Sequence, residues 1–169
     1  MKGLPRSRKA GGKETPILSQ TIPIKDKTLS VTNGAPGYGN VAIAALPEGN
    51  ILFLGAVSYF EFSTSDADVI ATFDGDYSVG TAGTSNGDLS GTNEANIISS
   101  AAFGAATAKV SPVVRGISPS ASCGVVIDNT QNDVVFYLNV LIDDASISGN
   151  ADFTVNGNLI VSYTMLGDD

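Results

Sequence analysis

The chain has 169 residues, of which 43% are hydrophobic and only 15% charged, a size suited to one domain that buries about two-thirds of its unfolded surface. It has no histidine and a single cysteine, Cys123, which excludes an intrachain disulfide and removes the usual base for a serine or cysteine nucleophile. Its net charge of −8 conceals a split. Seven of nine cations fall within residues 1–27 against two acids, giving +5, while the remaining two cations face fifteen acids, giving −13.

Residues 1–14 contain almost nothing apolar to bury and predict an extended arm. Residues 15–27 are transitional: Ile17, Leu18, Ile22 and Ile24 are free to dock, and Pro16 and Pro23 keep the segment off a central strand. The division is therefore an arm over 1–27 and a body over 28–169. No secretory leader follows the basic start, and the longest apolar run, Ile51–Phe60, is half a membrane span, so a soluble protein is expected.

From Thr28 the pattern is β. Leu29 and Val31 alternate with polar residues, as do Val41, Ile43 and Ala45 with small ones; Ile51–Phe62 predicts a long strand, and Val69, Ala71 and Phe73 repeat the rhythm. Residues 74–93 are dense in Gly, Asp, Asn, Ser and Thr, predicting a long loop with a short strand around Tyr77–Val79. Residues 94–108 are ambiguous apart from a short strand at Ile97-Ile98. Cys123, flanked by Gly124, Val125, Val126 and Ile127, is placed in a strand core as a small hydrophobe.

Between Val134 and Ile142 every even position is apolar, and the odd face (Val135, Tyr137, Asn139, Leu141) is also mostly apolar. A strand covered on both faces requires a second cover, either a loop or another subunit. The last segment reads as a hairpin, with a three-residue loop Asn156-Gly157-Asn158 bringing the rows Ala151/Phe153/Val155 and Leu159/Val161/Tyr163/Met165 to one face. Eight to ten such strands with uneven connections predict an all-β antiparallel sandwich, most simply a jelly roll.

Motifs that carry chemistry are weak. The acid pairs (Asp66/Asp68, Asp74/Asp76, Asp143/Asp144) fall in turns or at strand ends, where solvated aspartate is ordinary. Asp74-Gly75-Asp76 opens like a calcium loop, but position six is Val79 where glycine is required. Gly37-Tyr-Gly-Asn-Val-Ala42 formally matches a dinucleotide fingerprint, yet Pro47 leaves no room for the helix it needs. No catalytic residue, metal or cofactor is assigned.

Two blocks, Phe73-Asp-Gly-Asp-Tyr-Ser-Val-Gly-Thr-Ala82 and Phe136-Tyr-Leu-Asn-Val-Leu-Ile-Asp-Asp144 with the following Phe153–Val161, make the body from about Leu52 onward resemble the capsid decoration (cement) proteins of tailed bacteriophages. The resemblance implies a non-enzymatic homotrimer on the outer capsid surface of the virion, assembled in the host cytoplasm, with the major capsid protein as partner. The charge split, rather than the resemblance, assigns capsid binding to Arg6, Arg8, Lys9 and Lys13 for steering and to Ile17, Leu18, Ile22 and Ile24 for apolar anchorage. Val135, Tyr137, Asn139 and Leu141 are the candidate subunit interface. Nucleic acid is disfavoured because no aromatic precedes Tyr38 and the body would repel phosphate. Two alternatives stand: a jelly-roll coat protein whose arm binds the packaged genome, and a carbohydrate-binding module or fibre tip using Tyr38, Tyr59, Tyr77 and Phe103.

Overall fold

The computed structural model describes residues 16–131 and 133–167. These form nine strands: β1 Leu18–Thr32, β2 Gly37–Ala45, β3 Gly49–Ser63, β4 Gly75–Gly80, β5 Ile98–Ala102, β6 Val114–Ile117, β7 Val125–Asn129, β8 Val135–Ile142 and β9 Ala151–Gly167. Two single 3-10 turns, Ser120–Ser122 and Asp144–Ser146, are the only helical elements among the described residues.

The strands pair from the outside of the chain inward: β1 with β9, β2 with β8, β3 with β6 and β7, β4 with β5, all antiparallel. This long ribbon is then rolled, so that β3 also pairs with β9 and β4 with β8. The resulting order is β5-β4-β8-β2-β1-β9-β3-β6, with β7 on the same strand of the sheet, β3, as β6. It divides into two four-stranded sheets joined by only two residue pairs, Val31↔Gly39 and Thr32↔Tyr38. A rolled ribbon of eight strands in two facing sheets is a jelly roll.

The eighth strand is broken. Ile117 lies opposite Val57 and Val125 opposite Phe53, so three residues of β3 face the seven residues 118–124. β6 and β7 are thus two halves of one edge strand, separated by the 3-10 turn and by Gly124 at φ 84°.

Inward side chains of the two sheets meet in an aromatic core. Phe60 and Phe62 of β3 pack 5.5 and 5.6 Å from Tyr77 of β4, and Phe73 lies 5.1 Å from Phe153 of β9 in an edge contact. On β8, Phe136, Leu138, Val140 and Ile142 are fully buried, as their period of two requires. On β3 the buried set changes phase, from Ile51 and Phe53 to Ser58, Phe60 and Phe62, because a bulge between Phe53 and Gly55 inserts one residue. A second bulge, between Ile24 and Lys27, does the same for β1.

Three expectations change. The sheet begins at Leu18, so residues 18–27 belong to the sandwich and not to an arm. Pro23 is accommodated because β1 at that level pairs only with β9, leaving its other edge without a ladder to break. Residues 69–73 are not a strand: Val69 forms an isolated bridge to Ile147, and Val69 and Phe73 are buried from a turn-rich connection.

The closing hairpin is absent. β9 runs unbroken from Ala151 to Gly167, and its buried apolar residues Ala151, Phe153, Val155, Leu159, Val161 and Tyr163 keep one parity throughout. Asn156-Gly157 reads locally as a turn, but pairing on both edges overrides it: Gly157 lies opposite both Ile24 and Phe60, and the Asn156 side chain accepts the Asp26 N–H at 2.8 Å within the β1 bulge.

Gly157 has φ 145°, and a Cβ there would sit 1.9 Å from the Tyr59 carbonyl oxygen. Gly157→Ala is expected to cost about 3 kcal/mol through backbone strain and overpacking, read as a lower denaturant midpoint with an unchanged slope.

Candidate interaction site

The two sheets are covered unequally. Over the outer face of β8 and β2 lies the long connection of residues 81–97, which is pinned by Asn139. This side chain is fully buried; its Oδ1 accepts the Thr84 N–H at 2.8 Å, and its Nδ2 donates to the carbonyls of Ala82 and Glu94 at 3.0 and 2.8 Å. Asn40 adds a bond from its Nδ2 to the Thr84 carbonyl at 2.8 Å. The second cover required by the apolar odd face of β8 is therefore, at Asn139, this loop of the same chain.

The other sheet has no such cover among the described residues. Residues paired across an antiparallel sheet share a face, so the outward rows follow from the register. One row is Val126–Leu52–Thr164; a second is Ile117–Val57–Ile160; a third is Arg115–Tyr59–Asn158. Val126 and Ile117 are 51% and 54% exposed, and Tyr59 is 40% exposed. Isolated exposed apolar residues are ordinary, but a contiguous set on one sheet face marks an interaction surface.

Of the residues proposed for docking, Arg6, Arg8, Lys9 and Lys13 lie outside the described residues. Ile17 and Leu18 are exposed, Ile22 is half-buried, and Ile24 belongs to the core, where it is not free to anchor a partner. Val135, Tyr137 and Leu141 are half-buried. Val135 and Tyr137 open into a cleft of about 550 Å³ whose other wall is β7, including Val125, Val126 and Asp128. The expectation for the Cys123 region is reversed: Cys123, Val125 and Val126 are exposed, because β7 is an edge strand displaced by the 118–124 insertion. Sequence reasoning missed this surface, since a run of β-branched residues reads the same at an edge as in a core. The glycan platform also dissolves, because Tyr77 and Phe103 are core residues.

Acids gather in the connections between strands. The connections after β1, β3, β5 and β8 share one end of the roll, where Asp66, Asp68, Asp74, Asp143 and Asp144 gather with Lys109. Asp66 is held below the usual carboxylate range by the backbone amides of Asp68 and Asp152. Asp143 is pushed up, first by burial and then by the charges of Asp74 and Asp76, which line the same shallow depression. The short strand expected around Tyr77–Val79 is β4, Gly75–Gly80, and among the described residues no group of three acids or thiols is placed to hold a metal. No helix there is long and apolar enough to cross a membrane.

No family model matches the chain, and no curated protein matches it. Solved structures with a similar course include that of infectious bursal disease virus Gx strain (TM-score 0.43, 12% identity, 96% of this chain and 37% of that one). T=1 particles derived from infectious bursal virus give TM-score 0.46 at 13% identity, over 96% of this chain and 36% of that one. Turnip yellow mosaic virus gives 0.40 at 9% identity, over 99% and 90%. The chain spans little more than a third of the bursal virus chains it matches. The jelly-roll assignment rests on the strand order above and not on these overlaps.

Asn139→Ala leaves the Thr84 N–H and two carbonyls without their buried partner and is expected to cost about 2–4 kcal/mol, with faster hydrogen exchange at the Thr84 amide as the local readout. Asp143→Asn tests the acidic end. A carboxyl raised in the folded state destabilises above its folded pKa, and that penalty disappears as pH falls below the unfolded value. The variant should therefore melt higher than the parent at pH 7, and the difference should vanish below about pH 4, as followed by thermal denaturation across pH.

Proposed function

We propose that this chain is a structural virion protein that self-associates, as a trimer, on the outer surface of a tailed-phage capsid and stabilises capsomer contacts there. The observation that carries the reading is the uncovered β1-β9-β3-β6 face, weakly polar and contiguous, in a chain that gathers its cations just before β1. Solvated surfaces usually carry more Lys, Glu and Arg than the rows around Val57 and Ile160 do, whereas surfaces buried between subunits are depleted in charge. A cationic segment adds steering toward an acidic partner, and several copies on one assembly add avidity. The resemblance of the two turn-and-strand blocks to capsid decoration proteins points the same way. Fold alone does not assign function, since jelly rolls also serve lectin and cupin roles.

The test compares the full-length protein with a 16–169 truncation, which leaves β1 intact where a 28–169 truncation would strip most of it. Light scattering gives the mass of each, and co-sedimentation is run with capsids lacking the protein and, separately, with nucleic acid. The reading predicts a trimer that sediments with capsids, with binding weakened in the truncation. Binding to nucleic acid in place of capsids would replace it with an inward-facing coat protein, and a monomer that binds neither would sink both.

A further inference from the structure

The roll is closed along one part of its seam and open along the rest. Where β5 meets β6 it is closed: the Tyr77 hydroxyl donates to the Val114 carbonyl at 3.3 Å, and Ser118 Oγ donates to the Ile97 carbonyl at 2.6 Å. Beyond Asn96 it opens. β7 pairs only with β3, so its outer edge has no strand partner among the described residues. Across the gap, β4 ends opposite Tyr137 at Gly80, leaving Val135 and Phe136 paired on the β2 side alone. The cleft between these edges holds the half-exposed Val125 and Val126 and the ring of Tyr137, with Asp128 and Asp133 also lining it. Asp128 stays anionic, because the hydroxyl and then the amide of Thr130 hold its pKa down.

We propose that this cleft receives residues 1–15 of a second copy of the chain, laid extended against the free edge of β7. Free strand edges beside an apolar groove are what β-augmentation uses. The segment has the complementary chemistry: Leu4 for the apolar floor, and Arg6 and Arg8, which share a face in an extended chain, for the two aspartates. A second copy is favoured over the chain's own segment by register. Leu18, Tyr163, Phe53 and Val125 form one row across β1, β9, β3 and β7. Pro16, whose carbonyl accepts the Thr164 hydroxyl at 3.1 Å, is therefore already level with Ile127. A segment continuing the line of β1 leaves its own cleft behind. Arm and cleft are different surfaces, so the contact is head-to-tail, the kind that closes into rings. The inference rests on the self-association in the proposed function but not on the capsid.

The experiment co-expresses two full-length chains, both Cys123→Ser, one with Leu4→Cys and the other with Val126→Cys. A disulfide between them on mild oxidation requires contact between copies. The expected result is a cross-linked pair on a non-reducing gel, reduced about tenfold in yield when the Val126→Cys chain also carries Asp133→Lys. A single chain with both cysteines that closes on itself, with no cross-link between chains, would overturn the proposal in favour of the chain's own segment. No cross-link with an oligomer still present by light scattering would overturn the proposal while leaving self-association standing. A monomer by scattering would remove both.

Discussion

The position of Tyr77 sets how far the two sheets can close on one another. Its ring fills the space against Phe60 and Phe62 of the facing sheet, and its hydroxyl, deep in the core, bonds Ser58 at 3.0 Å and the Val114 carbonyl. Burial pushes the phenol's pKa up, so it remains a neutral hydroxyl at ordinary pH. One side chain thus ties β4 to β3 and to β6. Gly116 follows from it: a Cβ there would fall 2.7 Å from the Tyr77 hydroxyl and 2.4 Å from Ile98. The seam closes where this contact operates and opens where β7 has passed beyond it.

Closure at one place and opening at another give the molecule its distinct surfaces. Asn139 spends both amide hydrogens and its carbonyl oxygen on the 81–97 connection, which is why a polar residue is stable in the middle of β8. That connection occupies one sheet, and among the described residues nothing comparable occupies the other. The asymmetry follows loop length: the link from β4 to β5, residues 81–97, is the longest between the described strands and folds back over its own sheet. A sparsely charged face on a rigid sheet is suited to partners that bind as a preformed surface, with little ordering cost.

The charge distribution adds direction. Acids lie at both ends of the roll, Asp66, Asp68, Asp74, Asp143 and Asp144 at one and Glu48, Asp128 and Asp133 at the other, where Pro16 leads into β1 beside Thr164. A cationic segment and an acidic cleft are different surfaces, and their pairing favours head-to-tail neighbours over self-complementary ones.

Much of the fold was legible because a period of two is hard to imitate: Val134–Ile142, Ile51–Phe62 and the odd-numbered residues of 151–165 each announce a buried face. The charge split and the absence of histidine, which narrow the chemistry, are likewise properties of the sequence alone. What it could not decide depended on partners distant in the chain. Asn156-Gly157-Asn158 carries the local signature of a turn, and only pairing with β1 and β3 holds it extended. Val125 and Val126 look like core residues, and only the 118–124 insertion places them at an open edge. Ile24 looks free to dock until a bulge turns it inward. Local pattern fixes which residues alternate; which of their two faces meets water is a long-range matter, settled by register and by which loop reaches across.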